Sequence, residues 1–355
     1  MSSPDGSRLA DYDYELPPER IAQYPAERRD ESRLLVLAAD GGLGHLRFAE
    51  ITELFEPGDV LVVNESRVLP ARLLGRKPTG APSEVLLIRP AEGDDPYVWE
   101  ALVRPGSKLK PGRTVLVADD LRVEILDSAP GSGRRVRLVT GLAVEEALER
   151  HGHMPLPPYL AREDEPLDRD RYQTVYAREP GSVAAPTAGL HFTPELLAAL
   201  EAEGVSRTAV TLHVGIGTFR PVDGPDIGSH QMHEEWYEVP AETADRVNAA
   251  RDEGRRVWAV GTTSVRTLES AVDEDGHLRA GAGATSLFIR PPCDFRVVDC
   301  MLTNFHLPRS TLLMLVAAFA GYERTMAAYR EAIHEGYRFY SYGDAMAILG
   351  NAPDG

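Results

Sequence analysis

The chain has 355 residues, 43% hydrophobic and 26% charged, the balance of an ordinary globular protein long enough for two domains. Thirty-eight Lys and Arg against 55 Asp and Glu leave a formal charge of −17, which excludes a uniformly basic nucleic-acid coat but leaves room for a local basic patch. The start, MSSPDGSRLADYDYE, lacks the pattern of a secretory signal, and the longest apolar run, Leu312 to Ala320, is too short to span a bilayer. Cys293 and Cys300 suit neither a disulfide framework nor a C-x-x-C pair, so a reduced, cytoplasmic setting without membrane attachment is expected.

In chain order, RLLVL and DVLVV predict buried strands. From Val68 to Val139 come six short β-rich runs, VLPARLL, EVLLIR, VWEALVR, TVLVA, LRVEIL and RVRLV, separated by Gly/Pro clusters. Strands at this spacing with no helix between them predict a small antiparallel barrel. LAVEEALERHG then predicts a helix, and Thr193-Pro194 followed by ELLAALEAE predicts another with an N-cap and a Pro at its first position. RTAVTLHV reads as a strand, AETADRVNAARDEG as a capped helix, RVWAVG as a buried strand, and TTSVRTLESAV as a helix opened by Thr262 or Thr263. SLFI and RVVDCML predict strands, STLLMLVAAFAG and ERTMAAYREAIHEG helices. Strands alternating with helices predict an α/β main domain formed by 1–66 and 150–355, into which the barrel, 67–149, is inserted.

Residues 67–113 hold nine basic and five acidic side chains, a net of +4, leaving −21 for the rest of the chain. All three lysines fall there. A solvated barrel surface would suffice to explain this; the sharper reading is a phosphate-contacting face with Arg67, Arg72, Lys108, Lys110 and Arg113 as its cations.

Four segments beside predicted strands are dense in small and polar residues: GSVAAPTAGLHFTPE, HVGIGTFRPV, VGTTSVRTLES and TNFHLPRSTLL. Open α/β sheets bind ligands at the carboxyl ends of their strands, and free N–H groups at helix starts favour carboxylates or phosphates. Thr187, Gly215, Gly217, Thr218, Thr262, Thr263 and Asn304 are the candidate contacts to a small molecule. HVGIGTFR has two glycines of G-x-G-x-x-G but Arg220 where the third belongs, and VGTTSVRT lacks the Lys of a P-loop, so neither nucleotide motif is supported. His191, His213 and His306 are candidates for acid or base work. His230, His233 and Glu235 raise a metal-dependent hydrolase as an alternative, without the H-E-x-x-H spacing or any supporting Cys, so no metal is expected.

Taken together, GHMPLPPY, RYQTVYA, GSVAAPTAGLHFT, VTLHVGIGTFRPV, VGTTSVRTLES, TNFHLPRSTLLMLV and YRFYSYGDAM, in this order, resemble the S-adenosylmethionine:tRNA ribosyltransferase-isomerases of queuosine biosynthesis. The resemblance covers nearly the whole chain. It implies an α/β domain interrupted by a β-barrel, and an enzyme that moves the ribosyl part of S-adenosylmethionine onto a tRNA wobble base, 7-aminomethyl-7-deazaguanine. Epoxyqueuosine, adenine and methionine are the implied products, with no cofactor beyond the co-substrate, and a monomer or weak homo-oligomer is expected. Under that reading His191 or His306 is the leading base, with His213 third. Arg266 clamps the methionine carboxylate. Phe192 and Phe305 stack adenine, and Asp344 accepts from a ribose hydroxyl or the substrate amine unless it is a helix N-cap. A paralogue acting on a free deazaguanine or another RNA, and a non-catalytic RNA-binding module built on the barrel, would share parts of this pattern.

Overall fold

The computed structural model describes residues 5–129, 133–215, 227–230, 232 and 234–351. Its main element is a nine-stranded mixed sheet. Four neighbouring strands at its centre run parallel: Ser206–Leu212, Val60–Asn64, Val257–Val260 and Cys300–Asn304. Next to them Ala345–Leu349 runs antiparallel to Cys300–Asn304 and parallel to Arg33–Leu37, and Leu43–Arg47 closes that edge. On the other edge lie Glu235–Val239 and Gly281–Thr285, both antiparallel additions.

Strands Val60–Asn64 and Val257–Val260 are apolar at nearly every position because both faces are covered. Along Val60–Asn64, Val60 and Val62 join a core with helices Ala241–Asp252, Gly261–Ser270, Thr311–Ala320 and Tyr322–His334. Leu61 and Val63 join the opposite core with Phe48, Ile51 and helix Pro194–Ala202. Thr193 caps that helix, its Oγ1 accepting from the Leu196 amide at 3.1 Å, and Ser310 caps Thr311–Ala320 through the Leu313 amide at 3.2 Å, as the sequence predicts. Helix Ala241–Asp252 follows Pro240 and has no side-chain cap, contrary to expectation.

The six β-rich runs form a closed antiparallel barrel of Arg72–Arg76, Pro82–Pro90, Val98–Arg104, Thr114–Ala118, Leu121–Ser128 and Arg134–Thr140, closed by the Arg76–Leu116 pairing. Alternate side chains such as Leu73, Val85, Val103, Val123 and Leu138 fill it, and helix Val144–His151 plugs one side through Ala147 and Leu148. A short parallel pair, Ser66–Val68 with Glu179–Ser182, accompanies the chain where it enters and leaves this unit.

Differences from expectation concern boundaries and edges. The strand placed at SLFI lies earlier, at Gly281–Thr285, and RVVDCML contributes only from Cys300 onward. Helix Gly261–Ser270 starts directly after Val260 with no side-chain cap, so neither Thr262 nor Thr263 spends its hydroxyl in closing the helix end.

Candidate active site

The carboxyl ends of the four parallel strands deliver Leu212, Asn64, Val260 and Asn304 to one end of the sheet, the position where open α/β sheets take ligands. A cavity opens there with about 660 Å³ of atom-free space, solvent at its mouth included. It brings together Thr187, Thr262, Thr263, Asn304, Phe305 and His306. These come from three of the four segments singled out in the sequence.

Gly261 makes the strand-to-helix turn with a φ of 84°, a conformation that costs other residues strain. The turn aims the first, unbonded N–H groups of helix Gly261–Ser270 at the cavity, a site for a carboxylate. Beside them the Thr263 hydroxyl is buried without a hydrogen-bond partner. Asn304 is 2% exposed; its Nδ2 donates toward His191 Nε2 at 3.1 Å and the Tyr340 carbonyl at 3.2 Å, while its Oδ1 is buried and unpartnered. Buried polar atoms normally find partners, so two orphans lining one cavity mark groups that wait for a ligand.

The three histidines have different surroundings. His191 is buried under the cavity floor, with Nδ1 2.6 Å from Ser32 Oγ and its ring stacked on Phe48. Since Nε2 accepts from Asn304, Nδ1 carries the proton and donates to Ser32, and burial pushes the pKa down to about 3. It is a neutral prop for Asn304 and does not face the ligand space. His306 lines the cavity, its Nε2 2.7 Å from Thr303 Oγ1, and burial lowers its pKa to about 3, so it too is neutral near pH 7. His213 stands outside the cavity, in the cleft between sheet and barrel.

Several expected site residues have surroundings other than the open cavity. Arg266 is 2% exposed and its guanidinium is ion-paired with the Glu235 carboxylate, also donating from Nε to the Leu287 carbonyl at 3.2 Å; it does not line the cavity, and its Nη2 is buried without a hydrogen-bond partner. The same pair takes Glu235 out of any metal-ligand set; His230 packs edge-on against Phe288, and His233 lies outside the described residues. Asp344 precedes a strand, not a helix. Its carboxylate accepts from the Arg33 amide at 3.0 Å and the Arg338 amide at 2.7 Å, which locks the turn. Phe192 is wholly buried against Phe48, and the Phe305 ring packs among Tyr329, Tyr337 and Phe339, so neither ring faces a bound adenine. Gly215 donates its amide to Glu235 Oε1 at 2.9 Å and borders the cleft, while Gly217 and Thr218 lie outside the described residues.

The aromatic wall that sequence reasoning missed is Tyr159 stacked on Tyr340, centroids 4.4 Å apart. Tyr340 has a φ of 72°, rare for a bulky residue, and its hydroxyl is buried without a partner. Both tyrosines sit in motifs already quoted, GHMPLPPY and YRFYSYGDAM. Among the expected RNA contacts, Arg72 is paired with Glu84 at 3.1 Å across neighbouring strands and Arg67 lies 3.5 Å from Glu149. Lys108, Lys110 and Arg113 are exposed on one barrel loop and have no ion pair among the described residues.

A family model described as queuosine biosynthesis protein matches residues 9–348. The chain belongs to this family. Among curated members of the queuosine biosynthesis family, the S-adenosylmethionine:tRNA ribosyltransferase-isomerase of Thermus thermophilus is 54% identical, covering 96% of this chain and 99% of that one. The same-named protein of Syntrophotalea carbinolica is 53% identical, covering 96% of this chain and 100% of that one. The crystal structure of S-adenosylmethionine tRNA ribosyltransferase from Thermotoga maritima, 41% identical, matches with a TM-score of 0.55 over 95% of this chain and 99% of that one. The family thus unites a large α/β sheet domain with a closed β-barrel, as in this chain.

Proposed function

We propose that this chain transfers and isomerises the ribosyl moiety of S-adenosylmethionine onto 7-aminomethyl-7-deazaguanine at the wobble position of tRNA, yielding epoxyqueuosine, adenine and methionine. The observation that carries the reading is the cavity at the strand ends, where a helix begins and where the Thr263 hydroxyl and the Asn304 Oδ1 are buried without a hydrogen-bond partner. These match the two charged groups of an amino acid: helix N–H groups and Thr263 receive the carboxylate, and Asn304 Oδ1 accepts from the ammonium. Tyr159 and Tyr340 form the flat wall for adenine.

The sulfonium of the co-substrate acidifies its C5′ protons. His306 is the histidine that lines the cavity and is assigned as the base; its burial in the free protein keeps it unprotonated near pH 7 but also weakens it as a proton acceptor. The ribose ring then opens and adenine departs; the deazaguanine amine attacks the resulting unsaturated sulfonium, and epoxide closure expels methionine. No step calls for a metal. The cleft toward the barrel has about 2270 Å³ of atom-free space on the same measure and meets the cavity at Val214, which lines both, so a nucleic acid reaches the co-substrate from that side. The cationic loop of Lys108, Lys110 and Arg113 favours a tRNA acceptor over a free deazaguanine. No helix among the described residues is long and apolar enough to cross a membrane, and we place the reaction in the cytoplasm with the tRNA pool.

The experiment is to follow adenine release from S-adenosylmethionine by chromatography with and without tRNA carrying the aminomethyl-deazaguanine. Release that depends on the modified tRNA supports the reading; no release with either overturns it.

A further inference from the structure

The cleft between sheet and barrel contains a pair of rings with no part in holding the co-substrate. His213 follows strand Ser206–Leu212, and Trp236 lies on the adjoining strand Glu235–Val239; their rings stack with centroids 5.1 Å and planes 19° apart. Trp236 is 42% exposed, whereas Trp99 is 7% and Trp258 0% exposed. A tryptophan on a rigid sheet strand that is left this open costs apolar burial, which a ligand can recover.

Behind the pair the backbone makes room. Gly181 has a φ of 142°, and a Cβ there would come within 2.8 Å of the His213 ring, so the imidazole is seated against bare backbone. Burial lowers the His213 pKa, so the ring is neutral near pH 7 and stacks without a charge to desolvate. The cleft also holds Glu234, next to Trp236 in the chain, and Glu145, on helix Val144–His151 at the barrel, both exposed and neither ion-paired among the described residues. Arg134, whose side chain donates to the carbonyls of Leu109 at 3.0 Å and Gly106 at 3.1 Å, ties the cationic loop to the barrel strand that begins beside the cleft at Gly133.

The geometry points to Trp236, backed by His213, as the platform on which the acceptor base stacks after it leaves the anticodon loop, with the Glu234 and Glu145 carboxylates facing its aminomethyl cation. This inference rests on the transferase reading and names the subsite it requires for the base. Chemistry on a base needs that base out of its own stack, and an open aromatic face compensates for the lost stacking irrespective of hydrogen-bond pattern. A flat heteroaromatic fits a two-ring stack better than an aliphatic peptide side chain, the phosphates on either side of it suit the lysine loop, and the shared wall at Val214 sets the base next to the cavity.

The three tryptophans make the test direct, because only Trp236 is open to a collisional quencher. Acrylamide quenching of the full-length protein is measured with and without an anticodon stem-loop carrying 7-aminomethyl-7-deazaguanine, with RNA binding followed separately by fluorescence anisotropy. Bound RNA is expected to shield Trp236, and Trp236→Phe is expected to remove the shielded signal while keeping affinity within a few fold. Trp236→Ala is expected to weaken stem-loop binding about 10- to 100-fold with the S-adenosylmethionine dissociation constant unchanged. RNA that binds normally and leaves Trp236 fully quenchable overturns the platform. Shielding by RNA in a protein that releases no adenine would retain the platform and reject the transferase reading; adenine release with normal KM in Trp236→Ala would do the reverse.

Discussion

Glu235 and Arg266 are joined in a buried ion pair, each side chain 3% exposed, between the second strand from the sheet's edge and the helix that opens on the cavity. Glu235 also receives the Gly215 amide at 2.9 Å, so one carboxylate ties the helix to the loop that leaves strand Ser206–Leu212. Glu235→Ala leaves a guanidinium in the interior without its counter-charge and is expected to cost about 3–5 kcal/mol. Arg266→Met is expected to lower stability too, while leaving S-adenosylmethionine affinity in the surviving folded fraction within a few fold. Urea unfolding together with calorimetry checks both. A large loss of affinity in a stable Arg266→Met protein would restore Arg266 as a ligand group.

Thr263 gives the complementary case. Its hydroxyl is buried and unpartnered in the free protein, so Thr263→Val removes no internal hydrogen bond and keeps the side-chain shape. Stability is expected to hold or rise slightly, and S-adenosylmethionine binding to weaken by about 1.5–3 kcal/mol, the range for a hydrogen bond to a charged group. Equal affinities for wild type and variant would remove the carboxylate from this end of the cavity.

His191 predicts a pH effect of definite sign. Its pKa falls from 6.5 to about 3 on folding, so between those values the unfolded chain holds a proton that the folded chain refuses. Stability from this residue is complete above pH 6.5 and declines as the pH drops toward 3, by about 1.4 kcal/mol per pH unit while the unfolded imidazole is charged. His191→Gln is expected to flatten the dependence of unfolding free energy on pH between 6.5 and 5 by up to that slope. Denaturant titrations at several pH values read this directly, and parallel curves would contradict it.

His306 separates from His191 in kinetics. As the base at the cavity wall, it predicts that His306→Ala lowers turnover about 10²- to 10⁴-fold with little loss of co-substrate affinity. Single-turnover adenine release gives the rate; a variant of near wild-type speed passes the role to another group.

The barrel loop predicts electrostatics. Replacing Lys108, Lys110 and Arg113 together by Ala is expected to reduce the slope of log affinity against log salt for tRNA by about two, at 0.7 to 0.9 per phosphate contact, and to leave S-adenosylmethionine binding unchanged. An undiminished slope in filter-binding measurements would mean that tRNA uses another face.

The barrel is legible in the sequence because its strands alternate inward and outward side chains with period two, and Gly/Pro clusters punctuate them. Val60–Asn64 and Val257–Val260 are legible for the opposite reason, being apolar at nearly every position. Leu43–Arg47 is not: LGHLR lies on an exposed sheet edge and carries neither pattern. The loops that converge on the cavity stand out by composition, but pairing does not. Arg266 and Glu235 are each conspicuous, one as a clamp and the other as a metal ligand, and nothing local says that they neutralise each other across 31 positions. Asp344 shows the same limit, its partners Arg33 and Arg338 being brought together only by the sheet. Tyr159 and Tyr340 are 181 residues apart, and their stack becomes visible only in the folded chain.

The most direct measurement is the mass of the wobble nucleoside after the protein has acted. With S-adenosylmethionine and tRNA bearing 7-aminomethyl-7-deazaguanine, digestion and mass spectrometry are expected to show epoxyqueuosine, in step with adenine release. An unchanged aminomethyl-deazaguanine nucleoside, with co-substrate bound and tRNA bound, would contradict the ribosyl transfer itself.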